Sequence, residues 1–65
     1  YFKTELTQSL VADEKFSAWL IGRTPSARWG DVEDLVGAAV FLSSAASDFV
    51  NGHILYVDGG VTATL

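Results

Sequence analysis

Asn51-Gly52-His53-Ile54-Leu55-Tyr56-Val57-Asp58-Gly59-Gly60 is the stretch whose reading decides the fold. Asn-Gly supplies the positive backbone angles that a tight turn requires. His53 to Val57 is a short run rich in β-formers, and Asp58-Gly59-Gly60 ends it, so 53–57 is predicted to be a strand. A strand carries unpaired donors and acceptors along both edges, and each needs a neighbour. The sequence predicts no second strand. This strand must therefore pair with residues outside these 65, in a longer chain or in another copy.

The segment before the turn is the clearest helix. Asp31 starts it, with Asp34 three residues on as a shortened capping box. Val32, Leu35, Val36, Ala39, Val40 and Leu42, joined by Ala38 and Phe41, form a wide apolar stripe, and Gly37-Ala38-Ala39 keeps part of it small. A helix over 31–46 is predicted to pack closely on a sheet on one side and on a further body on the other.

Ser26-Ala27-Arg28-Trp29-Gly30 reads as a connector, with Arg28 placed to anchor it to Glu33 or Asp34. Ahead of it lie two short helices or one bent one, over 5–12 and 14–21. Thr4 can cap the first, and Glu5 suits the positive end of its dipole. Asp13-Glu14 is a polar break, after which Phe16, Trp19 and Leu20 share the spacing of one helical face. Gly22 is the predicted C-terminal cap. Thr24-Pro25 stops continuation, because proline disfavours helix at the residue before it.

Composition narrows the function classes. A 65-residue domain buries roughly 60% of its unfolded surface, which leaves it marginal by itself. There is no cysteine and His53 is the only histidine, so neither a disulfide framework nor a zinc cluster is available as a staple. Yet 49% of the residues are apolar, more than so short a chain hides easily. The net charge is −4, and Lys3, Lys15, Arg23 and Arg28 are too few and too scattered for a nucleic-acid face. No run is long enough for a membrane span, and the first residues do not read as a signal peptide. The expected setting is the cytoplasm, with no membrane or nucleic-acid partner.

Helix, Asn-Gly turn, strand and Val57-Asp58-Gly59-Gly60, in that order, resemble the end of the short-chain dehydrogenase/reductase family. Thr24-Pro25 through Arg28-Trp29-Gly30 and Glu33-Asp34-Leu35 look like that family's approach to its last long helix. Tyr1-Phe2-Lys3-Thr4 looks like the tail of its Pro-Gly-x-x-x-Thr motif without the Pro-Gly. The resemblance covers the whole chain. It implies the C-terminal part of an α/β doubly wound parallel-sheet Rossmann fold, with a substrate lid over 5–22, the last helix over 31–46 and the last strand over 53–57. It also implies an NAD(P)-dependent oxidoreductase, and Arg28-Trp29-Gly30, Ala38 to Ser44 and Ser47 to His53 narrow the likeness to members that act at C5 of a sugar acid with NADP, or less often NAD. In such relatives the last helix and strand build a homo-oligomer, a tetramer.

The family's catalytic Ser and Tyr-x-x-x-Lys pair are not in this sequence, nor is its G-x-x-x-G-x-G turn; Tyr1 is followed four residues later by Glu5 and Tyr56 by Gly60. No catalytic residue is therefore assigned, and the 65 residues alone are expected to be inactive. What the resemblance assigns is a cofactor edge. Phe2 matches the position whose backbone N–H meets the nicotinamide carboxamide, and Thr4 the threonine beside the carboxamide or pyrophosphate. Thr4 can serve at the same time as a helix cap. Phe16, Trp19 and Leu20 fall on the lid, as packing residues or pocket walls. Arg23 and Lys3 are read as solvated or structural cations, with a substrate carboxylate as the sharper alternative. His53, with no second histidine or cysteine, is not read as a metal ligand. Asp58 is expected to fix the closing turn through backbone donors. A different function class stays open: a non-catalytic assembly module that docks through the helix and strand, or a member acting on another sugar or a 3-oxoacyl substrate.

Overall fold

A computed structural model of the protein describes residues 1–64. Thr4, in extended backbone, opens a 3-10 turn over Glu5–Thr7 that leads into α1, Gln8–Ala12. Asp13 closes α1 and caps α2, Glu14–Arg23, its carboxylate accepting the Phe16 N–H at 3.0 Å. The polar break predicted at Asp13-Glu14 is thus a cap, which satisfies one of the orphan donors of a new helix.

Helix α2 runs past the predicted stop. Gly22 lies inside it, and Thr24 is the C-terminal cap. The proline is the reason: Thr24 sits in extended backbone ahead of Pro25, and its hydroxyl donates to the Leu20 carbonyl at 2.7 Å, satisfying an acceptor of the last turn.

The predicted helix over 31–46 divides into three parts. Asp31 opens a 3-10 turn over Val32–Leu35, α3 spans Val36–Ser43, and a further 3-10 turn covers Ala45–Ser47. Ser44 breaks the run, and Ser47 folds its hydroxyl back onto the Leu42 and Ser44 carbonyls, each at 3.1 Å. Serine hydroxyls compete for helix carbonyls in this way.

The strand predicted over 53–57 is not formed: these residues have no regular secondary structure and no strand partner among the described residues. The segment has strand-forming side chains, but no second strand lies within reach to complete a ladder. The one sheet-like pairing is an isolated parallel bridge between Phe2 and Gly30. Its bonds run from Gly30 N–H to the Tyr1 carbonyl and from Lys3 N–H to the Gly30 carbonyl, both at 2.8 Å.

The core is small. Leu20 and Trp29 are the buried apolar residues, and Thr24 and Ser47 the buried polar ones, among those described. Tyr1, Phe16 and Trp29 gather with ring centroids about 6 Å apart, and Trp19 leans on Phe16 from outside. Leu20 and Trp19 therefore part company, one in the core and the other 54% exposed. Around this cluster the molecule is thin, 42 × 29 × 16 Å, with a radius of gyration of 14.1 Å. A compact chain of this length would measure roughly 11 Å. Its accessible surface is 5160 Å², against roughly 4000 Å² for a folded monomer of the same mass. Much of the difference is apolar: Val32, Val36, Val40 and Leu42 are each at least half exposed. The stripe anticipated from the sequence is present and stands exposed among the described residues. Among the described residues no helix is long and apolar enough to cross a membrane.

Candidate functional site

The bridge to Gly30 determines what the backbone at Phe2 can do. In a parallel pairing of this kind the flanking residues supply the bonds, so Phe2 turns its own N–H and carbonyl to the opposite edge. Its carbonyl accepts the Thr7 hydroxyl at 2.7 Å. Its N–H has no partner among the described residues. Thr7 Oγ1 also accepts the Thr4 N–H at 2.9 Å, which fixes the first helical turn against Phe2. The Thr4 hydroxyl is engaged only by Thr7, in a capping box with an Oγ1–Oγ1 distance of 3.4 Å, and the residue remains exposed.

This leaves an open N–H at Phe2 and an open hydroxyl at Thr4, two residues apart on one strand-like segment. An amide ligand offers one acceptor and two donors. A free N–H fits the acceptor of such a ligand, and a hydroxyl that both donates and accepts fits either a donor or an acceptor. Thr7 was not singled out from the sequence, although Thr4-Glu5-Leu6-Thr7 has capping-box spacing and is the signal that reveals it.

The segment divides two concavities. Phe2 lines a cleft of about 500 Å³ together with Arg28, Gly30 and the run Tyr56 to Gly60. Lys3 and Thr4 line a shallower one of about 370 Å³ with Gln8, Val11 and Ala12 of α1. The two predicted cofactor residues thus share a backbone segment and face separate hollows.

The wall of the larger cleft is built by two acidic side chains in structural roles. Asp34 binds the Arg28 guanidinium through two bonds, at 2.8 and 3.1 Å, and also takes the Asp31 N–H at 2.8 Å. The Arg28 hydrogen bond, then the backbone donor, holds the Asp34 carboxyl down at about 2, and the same pairing raises Arg28. Arg28 also donates to the Trp29 carbonyl at 3.0 Å, so the anchoring expected of it is realised at Asp34. Asp58 accepts the Thr62 hydroxyl, the Gly60 N–H at 2.8 Å and the Thr62 N–H at 3.1 Å. Those bonds, the hydroxyl first, lower its pKa. Asp58 thereby fixes the closing turn as predicted.

The turn it fixes is pressed against the end of α2. Ser26 N–H donates to the Gly59 carbonyl at 3.0 Å. A Cβ at Gly59 would lie 2.7 Å from the Thr24 methyl, and one at Gly60 2.9 Å from Pro25 Cγ. Both glycines have positive φ, so the Val57-Asp58-Gly59-Gly60 motif is needed for conformation and for close approach alike.

Arg23 lies over the exposed Trp19 ring at 5.9 Å, which gives it a structural partner. His53 and Tyr56 are exposed.

The family model described as enoyl-(acyl carrier protein) reductase matches residues 1–62. This chain belongs to that family, the short-chain dehydrogenases/reductases. It is 72% identical over 61 residues to 5-keto-D-gluconate 5-reductase of Escherichia coli K12, covering 94% of this chain and 24% of the relative. It is 68% identical over 65 residues to gluconate 5-dehydrogenase of Gluconobacter oxydans, covering 100% and 25%. Among solved structures, a gluconate 5-dehydrogenase from Burkholderia cenocepacia in complex with NADP and tartrate matches with a TM-score of 0.95 and 62% identity, over 100% of this chain and 26% of that one. The match places the backbone in a Rossmann-fold dehydrogenase. The chain spans about a quarter of the length of the relatives it matches.

Proposed function

We propose that this sequence is the C-terminal quarter of an NADP-dependent sugar-acid oxidoreductase that interconverts gluconate and 5-ketogluconate. The observation that carries the reading is the 72% identity to 5-keto-D-gluconate 5-reductase across 94% of the chain. Oxidation at C5 would need a hydride acceptor, and a base to take the C5 hydroxyl proton that these residues do not include. NADP, when bound, supplies the hydride acceptor.

The residues of this chain bind and enclose. Phe2 N–H would hold the cofactor carboxamide and the Thr4 hydroxyl the carboxamide or the pyrophosphate, which orients the nicotinamide face toward substrate. Helices α1 and α2 form the lid that excludes water from the reacting atoms. Helix α3 and residues 53–57 complete the sheet and its covering layer, and the exposed stripe from Val32 to Leu42 supports a role in a homo-oligomer, a tetramer. Without the proton-transfer groups and the phosphate-binding turn, the 65 residues alone are inactive.

The test is a comparison of the full-length protein containing this sequence with the 65-residue chain, following NADP+ reduction with gluconate and with a panel of other sugar acids and 3-oxoacyl thioesters. Gluconate-dependent turnover by the full-length protein alone is expected. Preference for a different substrate overturns the gluconate assignment, and turnover by the short chain overturns its inactivity.

A further inference from the structure

Gly30 lies opposite the proposed cofactor edge and contributes no side chain to it. Its backbone makes both bonds of the bridge, to Tyr1 and Lys3, on either side of Phe2. Its φ is not in the left-handed region, so the conformation alone does not call for glycine. Space does. A Cβ at this position would fall 2.6 and 2.7 Å from two ring carbons of Phe2 and 3.3 Å from the Tyr1 carbonyl oxygen. The Phe2 ring occupies the space a side chain at residue 30 would take, while the two backbones are joined by hydrogen bonds of 2.8 Å.

We propose that Gly30 is a positioning residue for NADP: by admitting the Phe2 ring it holds the Tyr1–Lys3 backbone in the register that leaves the Phe2 N–H open to the carboxamide. This rests on the functional reading above. Even one added methyl in such a contact forces a shift of backbone or ring. A displacement of a fraction of an ångström is enough to weaken a hydrogen bond whose useful range is narrow.

The experiment uses the full-length protein and reads NADPH affinity by fluorescence titration, with the melting temperature of each variant recorded alongside. Gly30→Ala is expected to weaken NADPH binding by about fivefold or more, the scale of a modest overpacking penalty. The double variant Gly30→Ala/Phe2→Ala removes the ring that the new methyl meets, and is expected to recover part of that loss. Thr4→Val tests the underlying reading separately, because it deletes a proposed contact without touching the bridge. If Thr4→Val weakens binding while Gly30→Ala does not, the role of Gly30 is overturned and the cofactor edge stands. If neither variant changes affinity, the edge itself is misplaced and the inference falls with it. Weakened binding in Gly30→Ala without recovery in the double variant also overturns the inference, since Gly30 then acts by some route other than the Phe2 ring. Weakened binding at an unchanged melting temperature is the expected pattern, and a loss of affinity matched by a general loss of structure overturns the positioning role.

Discussion

Trp29 and Ser17, twelve residues apart, are joined by a hydrogen bond of 3.1 Å from the indole Nε1–H to the serine hydroxyl. The same hydroxyl donates to the Val11 carbonyl at 2.9 Å, so one small side chain ties the connector to α1 and α2 together. Trp29 is 5% exposed, and its donor has little access to water if Ser17 is lost. Ser17→Ala is expected to destabilise the full-length protein by about 1–3 kcal/mol, the cost of leaving a buried donor unsatisfied. Chemical denaturation measures it. Adding Trp29→Phe should make the serine substitution much less damaging, and equal effects in both backgrounds would show the bond contributes nothing.

Leu20 is the most deeply buried side chain described, at 1% exposure, and Thr24 closes the helix over it. Leu20→Ala is expected to cost about 2–5 kcal/mol, from lost transfer energy and the cavity left behind. Trp19→Ala, on the exposed side of the same helix, should cost well under half as much. Comparable losses at the two positions would mean that Trp19 is covered in the full-length protein.

The closing turn predicts a glycine-specific effect. Gly59 has φ +65° and faces the Thr24 methyl. Gly59→Ala therefore meets both backbone strain and a clash. A loss of about 1–3 kcal/mol is expected from the conformational strain alone. Gly22→Ala, inside α2 with open space around it, should instead stabilise by roughly 0.5–1 kcal/mol. Thermal melts of the two variants should move in opposite directions.

Asp34 gives a pH dependence whose sign is fixed by its pairing. Its folded pKa, about 2, lies below the ordinary 3.8. A carboxyl depressed on folding adds stability that is fully present above its unfolded pKa and is lost as pH falls through the folded value. The Asp34 contribution is thus expected to decline between 3.8 and about 2. A carbon-13 titration of the Asp34 carboxyl should show a midpoint near 2, moving up toward the ordinary value in Arg28→Ala. A midpoint near 3.8 in the unsubstituted protein would show that the ion pair does not persist in solution.

Helix α3 is expected to require cover. Val36 and Val40 lie one turn apart and are 57% and 62% exposed. Val36→Asp/Val40→Asp in the full-length protein should shift the assembly to smaller species in light scattering. An unchanged mass would place that face inside a single subunit.

The elements governed by nearby residues were legible in the sequence. Asp31 with Asp34, Arg28 with Asp34, Pro25 after Thr24 and Asp58 before Gly59-Gly60 each act within a few positions, and residue type and spacing reveal them. The burial that escaped depends on distant parts of the chain. Trp29 lies in a connector, and nothing local marks it as core; its burial comes from Tyr1, Phe16 and Ser17. Ala27 takes φ +58°, a conformation alanine rarely adopts, because the turn from Thr24 requires it. The stop at Gly22 failed since the glycine there had no turn to make once proline set the end two residues later. For the candidate site, Phe2 and Thr4 came from motif likeness, whereas their tie through Thr7 and the close approach of Gly30 needed coordinates.

The unpaired run 53–57 also bears on how the protein reaches its native state. Ile54 and Tyr56 are 70% and 65% exposed, and no sheet bond is available to this run from the other described residues. Each bond it makes must close a large loop or join two molecules, so its docking is slow compared with the helices. During that delay an apolar edge stands open to other molecules. Refolding yield should therefore fall with protein concentration, and this short run is where a chaperone has most to protect.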